Sequence, residues 1–363
     1  MIPRAITLKD LTDSEAASLH ELFNSMRAEV LPDDPPVPLE ERLTGWRNPS
    51  PHEWAKTFLV TNGDQTVGYA GAEWDTTDTQ NPHIAWAEVM VLPEYRQRGI
   101  GKALLRDLLG ACRSDGKTRL MTNTNGRVPA GRAFVLRLEA KLGIEEHTNQ
   151  LLFADLDREY LQRSLRDAPT ELFEIGWYIG EFPESELEEI CRVIEVMNTA
   201  PRGEMEFNDF KVTPDDLRVQ VKQCKINGLE FRFLYAKERA TGRYAGFTQT
   251  GFHPNRPSIV SQWGTGVLPE YRGHKLGAWL KAAMIDHIQR ERPAVDRIRT
   301  GNADSNAAML RINHALGFKP LISRTEWQLE VNQTLERLEG AIVSSRSLGK
   351  LLLYTRPSKV SNV

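Results

Sequence analysis

Apolar positions in this chain recur with two periods, about 3.6 residues and two residues, and the order of the two rhythms occurs twice. In the first set, a short strand over 6–8 precedes a helix whose Ala17, Leu19, Leu22, Phe23 and Met26 share a face, with Asp13 or Ser14 as its cap. A second helix is expected over 39–46 and strands over 57–60, 66–74 and 84–91, with Asn62-Gly63-Asp64 as hairpin-turn chemistry. A helix over 100–113, a strand over 119–122, a helix over 132–142 and a closing strand over 150–155 complete the set. The second set begins with a strand over 172–178, a helix over 184–197 and a helix over 213–227 opened by Thr213-Pro214-Asp215. Strands over 229–237, 244–252 and 258–267, a helix over 276–290, a strand over 297–300, a helix over 306–316 and a strand over 323–329 follow.

This order predicts an α/β fold, a mixed sheet with helices on its faces, present twice. The expected domains are 1–156 and 171–331, joined by a linker over 157–170 that contains a short charged helix. Residues 332–363 read as a C-terminal helix and an apolar tail, Leu351-Leu352-Leu353-Tyr354, expected to pack on one of the domains.

One segment is repeated letter for letter. Val91-Leu92-Pro93-Glu94-Tyr95-Arg96 returns as Val267-Leu268-Pro269-Glu270-Tyr271-Arg272, 176 residues later. Each copy ends a predicted strand and leads through glycines into a predicted helix. A helix start presents unpaired amides and a partial positive charge, which together hold anions. The loops supply Arg96, Arg98, Gly99 and Gly101, and Arg272, Gly273, Lys275 and Gly277. Two nucleotide motifs are excluded. Gly101-Lys102 is followed by Ala103, which breaks GxxxxGK(S/T), and Gly264-Thr265-Gly266 has no third glycine for GxGxxG.

Composition narrows the class further. With 46 Lys and Arg against 49 Asp and Glu, the chain is no general nucleic-acid binder. Cys112, Cys191 and Cys224 are scattered, which fits reduced thiols and a cytoplasmic location. No long apolar run is present, so no membrane partner is expected. The eight histidines show no HExxH or paired ligand spacing, so no metal is expected.

On both loops together, the chain resembles the GNAT N-acetyltransferase superfamily, whose V-x-P strand end and R/Q-x-x-G-x-G/A loop bind acetyl-coenzyme A. Residues 91–101 match fully, and 267–277 match except that Lys275 stands where glycine is usual. Asn302 to Met309 and Asn313 to Phe318 resemble the family's second cofactor segment. The tandem arrangement resembles that of mycothiol synthase and other two-domain members. The resemblance implies donor contacts from Val91, Arg96, Gln97, Arg98, Gly99, Ile100, Gly101 and Lys102 in the first loop. In the second it implies Val267, Arg272, Gly273, His274, Lys275, Leu276 and Gly277, with Asn306 and Asn313 beyond. It further implies that the strand before each loop splays from its parallel neighbour to admit the pantetheine arm.

Catalytic groups are harder to assign. The family's usual glutamate position holds Ala85 or Ser261, and its usual tyrosine position holds Glu139 or Asn313. Glu88 is the nearest carboxylate to the first loop and the candidate base, though it also reads as a solvated strand carboxylate. Trp74, Trp86 and Trp263 read first as core or cleft walls. Glu204, Glu206 and Asp209 are expected to attract a cationic acceptor. The expected activity is acetyl-CoA-dependent N-acetylation of a primary amine on a small metabolite by direct attack. A non-catalytic coenzyme A sensor or assembly module, and a protein or peptide N-acetyltransferase, stay open as alternatives.

Overall fold

The computed structural model describes residues 1–339, so the apolar tail at 351–354 lies outside them. The first half contains β1 (Arg4–Ile6), α1 (Asp13–Val30), α2 (Leu39–Arg47), β2 (Glu53–Asn62), β3 (Gln65–Asp75), β4 (Ile84–Val91), α3 (Ile100–Ser114), β5 (Arg119–Asn125), α4 (Pro129–Arg137) and β6 (Lys141–Leu152). After the connecting α5 (Arg158–Arg166) come β7 (Phe173–Ile179), α6 (Leu187–Ile194), α7 (Pro214–Ile226), β8 (Glu230–Glu238), β9 (Tyr244–Phe252) and β10 (Ile259–Val267). The chain then continues through α8 (Leu276–Glu291), β11 (Arg297–Ala303), α9 (Ala307–Leu316) and β12 (Lys319–Glu330) into a helical stretch over 331–339.

Local chemistry explains most boundaries. Helix α1 is capped by Thr12 rather than Asp13 or Ser14: the Thr12 hydroxyl accepts from the Glu15 amide while Glu15 accepts from the Thr12 amide. Thr213 caps α7 in the same reciprocal way with Asp216. Gly68 lies against Ile100 and Leu104 of α3, while Tyr69 turns to the opposite face, its ring centroid 5.0 Å from Phe23 of α1. Alternation along β3 thus puts one helix layer on each face of the sheet. On α3, Leu104, Leu105 and Leu108 are buried, and each contributes about 1.5–3 kcal/mol relative to exposure.

The expected helix over 132–142 and strand over 150–155 are both corrected. Helix α4 stops at Arg137, Glu139 takes a left-handed φ of 56°, and β6 begins at Lys141. Polar residues at Glu145, Glu146, His147 and Asn149 hide the two-residue period of this strand. They are tolerated because β6 lies at the centre of the molecule, facing a cleft and other strands rather than a continuous apolar layer.

The twelve strands of the described residues form one sheet, in the order β1-β2-β3-β4-β5-β12-β6-β11-β10-β9-β8-β7. The halves therefore exchange their last strands. β12 pairs antiparallel with β5 and β6, and β6 pairs antiparallel with β12 and β11. Further contacts join the halves away from the sheet. The Asp34 side chain, 1% exposed, accepts from Arg27 at 2.7 Å and from Arg299 at 2.6 Å. Glu41 pairs with Arg256 at 2.7 Å. His52 is held 3.1 Å from both Asp215 and Asp216 at the start of α7. A carboxylate oxygen of Asp75 also lies within 4.8 Å of the His52 ring nitrogen and an Asp216 carboxylate oxygen, a grouping of residues too distant in sequence for spacing to reveal.

Candidate active site

The two repeated loops follow the same backbone path. Each leaves its strand through a short 3₁₀ turn, Pro93–Tyr95 or Pro269–Tyr271, and enters a helix from a left-handed residue. Two positions per loop have positive φ: Gln97 (61°) and Gly99 (84°), and Gly273 (88°) and Lys275 (61°). Glycine fills one of these positions in each loop, and never the same one. A non-glycine residue there costs on the order of 1–2 kcal/mol, so the shared path is imposed by its surroundings and not by glycine alone. The first α-type bonds run from Ala103 N–H to Gly99 C=O (3.0 Å) and from Trp279 N–H to Lys275 C=O (3.1 Å). The amides of 97–102 and 273–278 accordingly have no hydrogen-bond partner among the described residues. A Cβ placed on Gly99 or Gly273 would meet open space. Each loop is thus a cradle of free donors at a helix start, the geometry a diphosphate fits.

Side chains in the loops divide into anchors and free cations. Arg96 donates from Nε to the Val91 carbonyl (3.0 Å) and from Nη1 to Glu29 of α1 (2.7 Å). Arg272 donates from Nε to the Val267 carbonyl (3.2 Å) and from Nη2 to the Thr199 hydroxyl (2.7 Å). Both arginines therefore tie the loop to its strand end. Gln97, Arg98, Lys102, His274 and Lys275 are exposed, and Ile100 and Leu276 are buried beneath the loops. Gly101 and Gly277 lie at the first turn, close to Val91 and Val267 respectively.

Below each loop the sheet parts. β4 pairs with β5 only from Ile84–Arg119 to Trp86–Met121, and β10 pairs with β11 only from Ile259–Arg297 to Ser261–Arg299. The strands run on separately to Val91 and Asn125, and to Val267 and Ala303. One difference separates the halves. β10 carries a bulge between Gln262 and Thr265, whereas β4 pairs with β3 without a slip. Bulges release residues from the ladder and re-aim side chains, and they are frequent beside active sites.

A cavity of about 340 Å³ opens where β10 and β11 part, bounded by Thr265, Thr300 and the start of α9 and roofed by the segment before α7. Glu326 of β12 faces it, 12% exposed, with Oε2 buried and unpartnered. Burial, reinforced by Glu146 and opposed by Arg324, pushes its carboxyl up to about 7. Lys281 of α8 also borders the cavity, 1% exposed, and donates to Gln262 Oε1 at 2.6 Å. Gln262 donates to Thr248 (3.0 Å), whose hydroxyl lies 2.7 Å from that of Thr265. Burial without a nearby carboxylate brings the ammonium down to about 7. Asn306 accepts from the Met309 amide as the cap of α9 and lines the cavity. Asn313 is fully buried and donates to Asn302 at 2.7 Å, which makes it part of the packing between α9 and β11.

Residues 16–135 match the profile of the Acetyltransferase (GNAT) family. The chain is 26% identical to the mycothiol acetyltransferase of Stackebrandtia nassauensis over 88% of its own length and 95% of that protein's. Against the mycothiol acetyltransferase of Nocardia farcinica it is 26% identical over 73% and 80%. Its fold is similar to that of a solved tandem GNAT protein from the clavulanic acid biosynthesis pathway (TM-score 0.75, 22% identity), covering 91% of this chain and 98% of that one. Residues 16–135 thus carry a GNAT-family domain, and the whole chain has the fold of a tandem GNAT protein. No described helix of it is long and apolar enough to cross a membrane.

Within this tandem GNAT fold the sequence candidate Glu88 sits apart from the cavity, on β4 opposite Gly71 of β3. Burial and neighbouring Glu73 raise its carboxyl to about 7, with Arg42 opposing. Glu88 as a residue is solvent-exposed, unlike Glu326, so its burial argument is the weaker of the two. The three roof carboxylates divide. Glu206 is paired with Arg119 (2.8 Å) and Lys141, and Asp209 with Arg202, so both pin the roof to the molecule, while Glu204 is exposed. Glu326 and Lys281 escaped the sequence reading. By strand pairing the counterpart of Glu326 in the first half is Thr148, so comparing the halves does not single out a carboxylate there. A lysine at the place of Leu105, inside an apolar helix face, was a legible signal.

Proposed function

We propose that this chain is an acetyl-CoA-dependent N-acetyltransferase that acylates a primary amine of a small metabolite, with its chemistry in the second half. The free amides of 273–278, with Lys275, would hold the donor's diphosphate, and those of 97–102, with Arg98 and Lys102, offer a second binding cradle. When bound, acetyl-CoA supplies an activated acetyl thioester. The carrying observation is that the bulge, the parted strands and a buried carboxylate with one unpartnered oxygen, Glu326 Oε2, meet at one cavity.

An alkylammonium must lose a proton before it can attack. Glu326, held near 7, is placed to take that proton at Oε2. Lys281 holds a transferable proton at Nζ beside the same cavity, where the family's usual tyrosine position has become Asn313. Glu88 favours a second reading, in which the first half is the catalyst. Substituting Gly277→Glu and Gly101→Glu separately decides between them, because each places a carboxylate in one anion cradle. Acetyl transfer is expected to fall by about 100-fold or more in the first variant and by less than about threefold in the second, on the scale of losing a charge-assisted phosphate contact. The reverse ranking, in variants that keep the parent thermal transition, would assign catalysis to the first half.

A further inference from the structure

We infer that the acceptor is a primary amine carried on an aromatic or similarly flat apolar body, and that the first half helps select it through Trp86. Trp86 lies on β4 of the first half, yet it lines the cavity of the second. The residue is 46% exposed, a large apolar side chain left outside the core. The matching place on β10, the last residue paired across the parting strands, is Ser261, so no such wall exists in the reciprocal direction.

The remaining walls agree. Trp263 comes from the bulge, and Met197, Met205 and Phe207 come from the roof. Met205 packs with Ile84, Met121 and Phe207, which brings the roof down on strands of the first half. Aromatic rings and methionine sulfur suit a flat apolar ligand. At the same cavity, Glu146 and Glu326 share a single cation, Arg324, at 3.5 Å, so this cluster is left one negative charge in excess for an ammonium.

The roof arginine and the strand amides beneath and beside it are engaged with protein partners, which argues against a polyhydroxylated acceptor. Arg202 donates to the carbonyls of Phe207 (3.1 Å) and Asn198 (3.0 Å) and pairs with Asp209. Gln328 donates to the Glu204 carbonyl and accepts from the Glu206 amide, both at 2.8 Å. Asn302 accepts from Asn313 and Asn149. An amino sugar would leave several hydroxyls without partners, and unpaired buried polar groups weigh heavily against binding. A cavity of this size takes one or two rings.

This inference rests on the acetyl-transfer reading, so the test measures binding and turnover separately. Calorimetry without donor compares tryptamine and 2-phenylethylamine with glucosamine and spermidine, in the full chain and in its Trp86→Ala and Trp86→Phe variants. The aromatic amines are expected to bind at least about tenfold tighter than the other two, and Trp86→Ala to weaken them by about tenfold while Trp86→Phe retains most of the affinity. Preference for glucosamine or spermidine, or equal affinity in Trp86→Ala, overturns the inference. Turnover of the bound amines with acetyl-CoA is read independently, and its failure would count against acetyl transfer while leaving the binding result to stand.

Discussion

Lys281 and Leu105 occupy the sixth position of α8 and α3, and the contrast between them isolates what one residue does. Around Leu105 the partners are apolar, whereas around Lys281 they are Gln262, Thr248 and Thr265. A buried ammonium without a carboxylate destabilises the fold wherever it is charged. Its folded value near 7 lies below the ordinary value of 10.5, so between the two the unfolded chain binds the extra proton. Stability therefore rises with pH across that window, and the burden of the charge is greatest at and below about 7. Lys281→Leu is expected to stabilise the protein by on the order of 1–4 kcal/mol near pH 7, with the gain shrinking toward pH 10. Urea unfolding of both proteins across that range checks it, and a gain independent of pH would mean that Lys281 is not the titrating group. At this scale the sequence exposed the loops better than the chemistry. Glycines and cations in a repeated motif are local signals, whereas Glu326 becomes a candidate only through burial, a bulge and a neighbour 180 residues away, Glu146.

Among the elements, those with a strong periodic pattern were legible, and β4 and β9 fall where alternation and turn residues put them. Strand β6 was not, because it is polar and owes its conformation to pairing with β12 and β11. The exchange of last strands was equally invisible, since nothing local in Lys141–Leu152 or Lys319–Glu330 says which half each will join. It has a direct consequence for stability. A chain ended after residue 156 leaves β5 with an open edge and β6 without either neighbour. Such a fragment is expected to aggregate or to lack a cooperative thermal transition by circular dichroism, and to recover one when mixed with residues 157–363. A monomeric fragment that unfolds cooperatively alone would show that the exchange is dispensable.

Across the whole molecule, one architecture appears twice with different equipment. Antiparallel pairing through β12 and β6 points β5 and β11 in opposite directions, so the two clefts open at opposite edges of one sheet. The first half keeps two glycines in the family positions of its loop, an unbulged β4 and an apolar α3. The second has the bulge, the polar group around Lys281 and the cavity with Glu326, and it borrows Trp86 from its twin. Duplication was plain in the sequence, but this division of work was not, since it depends on which residues the exchanged strands carry into each cleft. The most direct test is steady-state acetyl transfer by Glu326→Gln and Glu88→Gln as a function of pH. Glu326→Gln is expected to lose about 100-fold or more in kcat, together with the rise in rate through pH about 7, while Glu88→Gln keeps a near-parental profile. A parental profile for Glu326→Gln, with the loss appearing in Glu88→Gln instead, would contradict it.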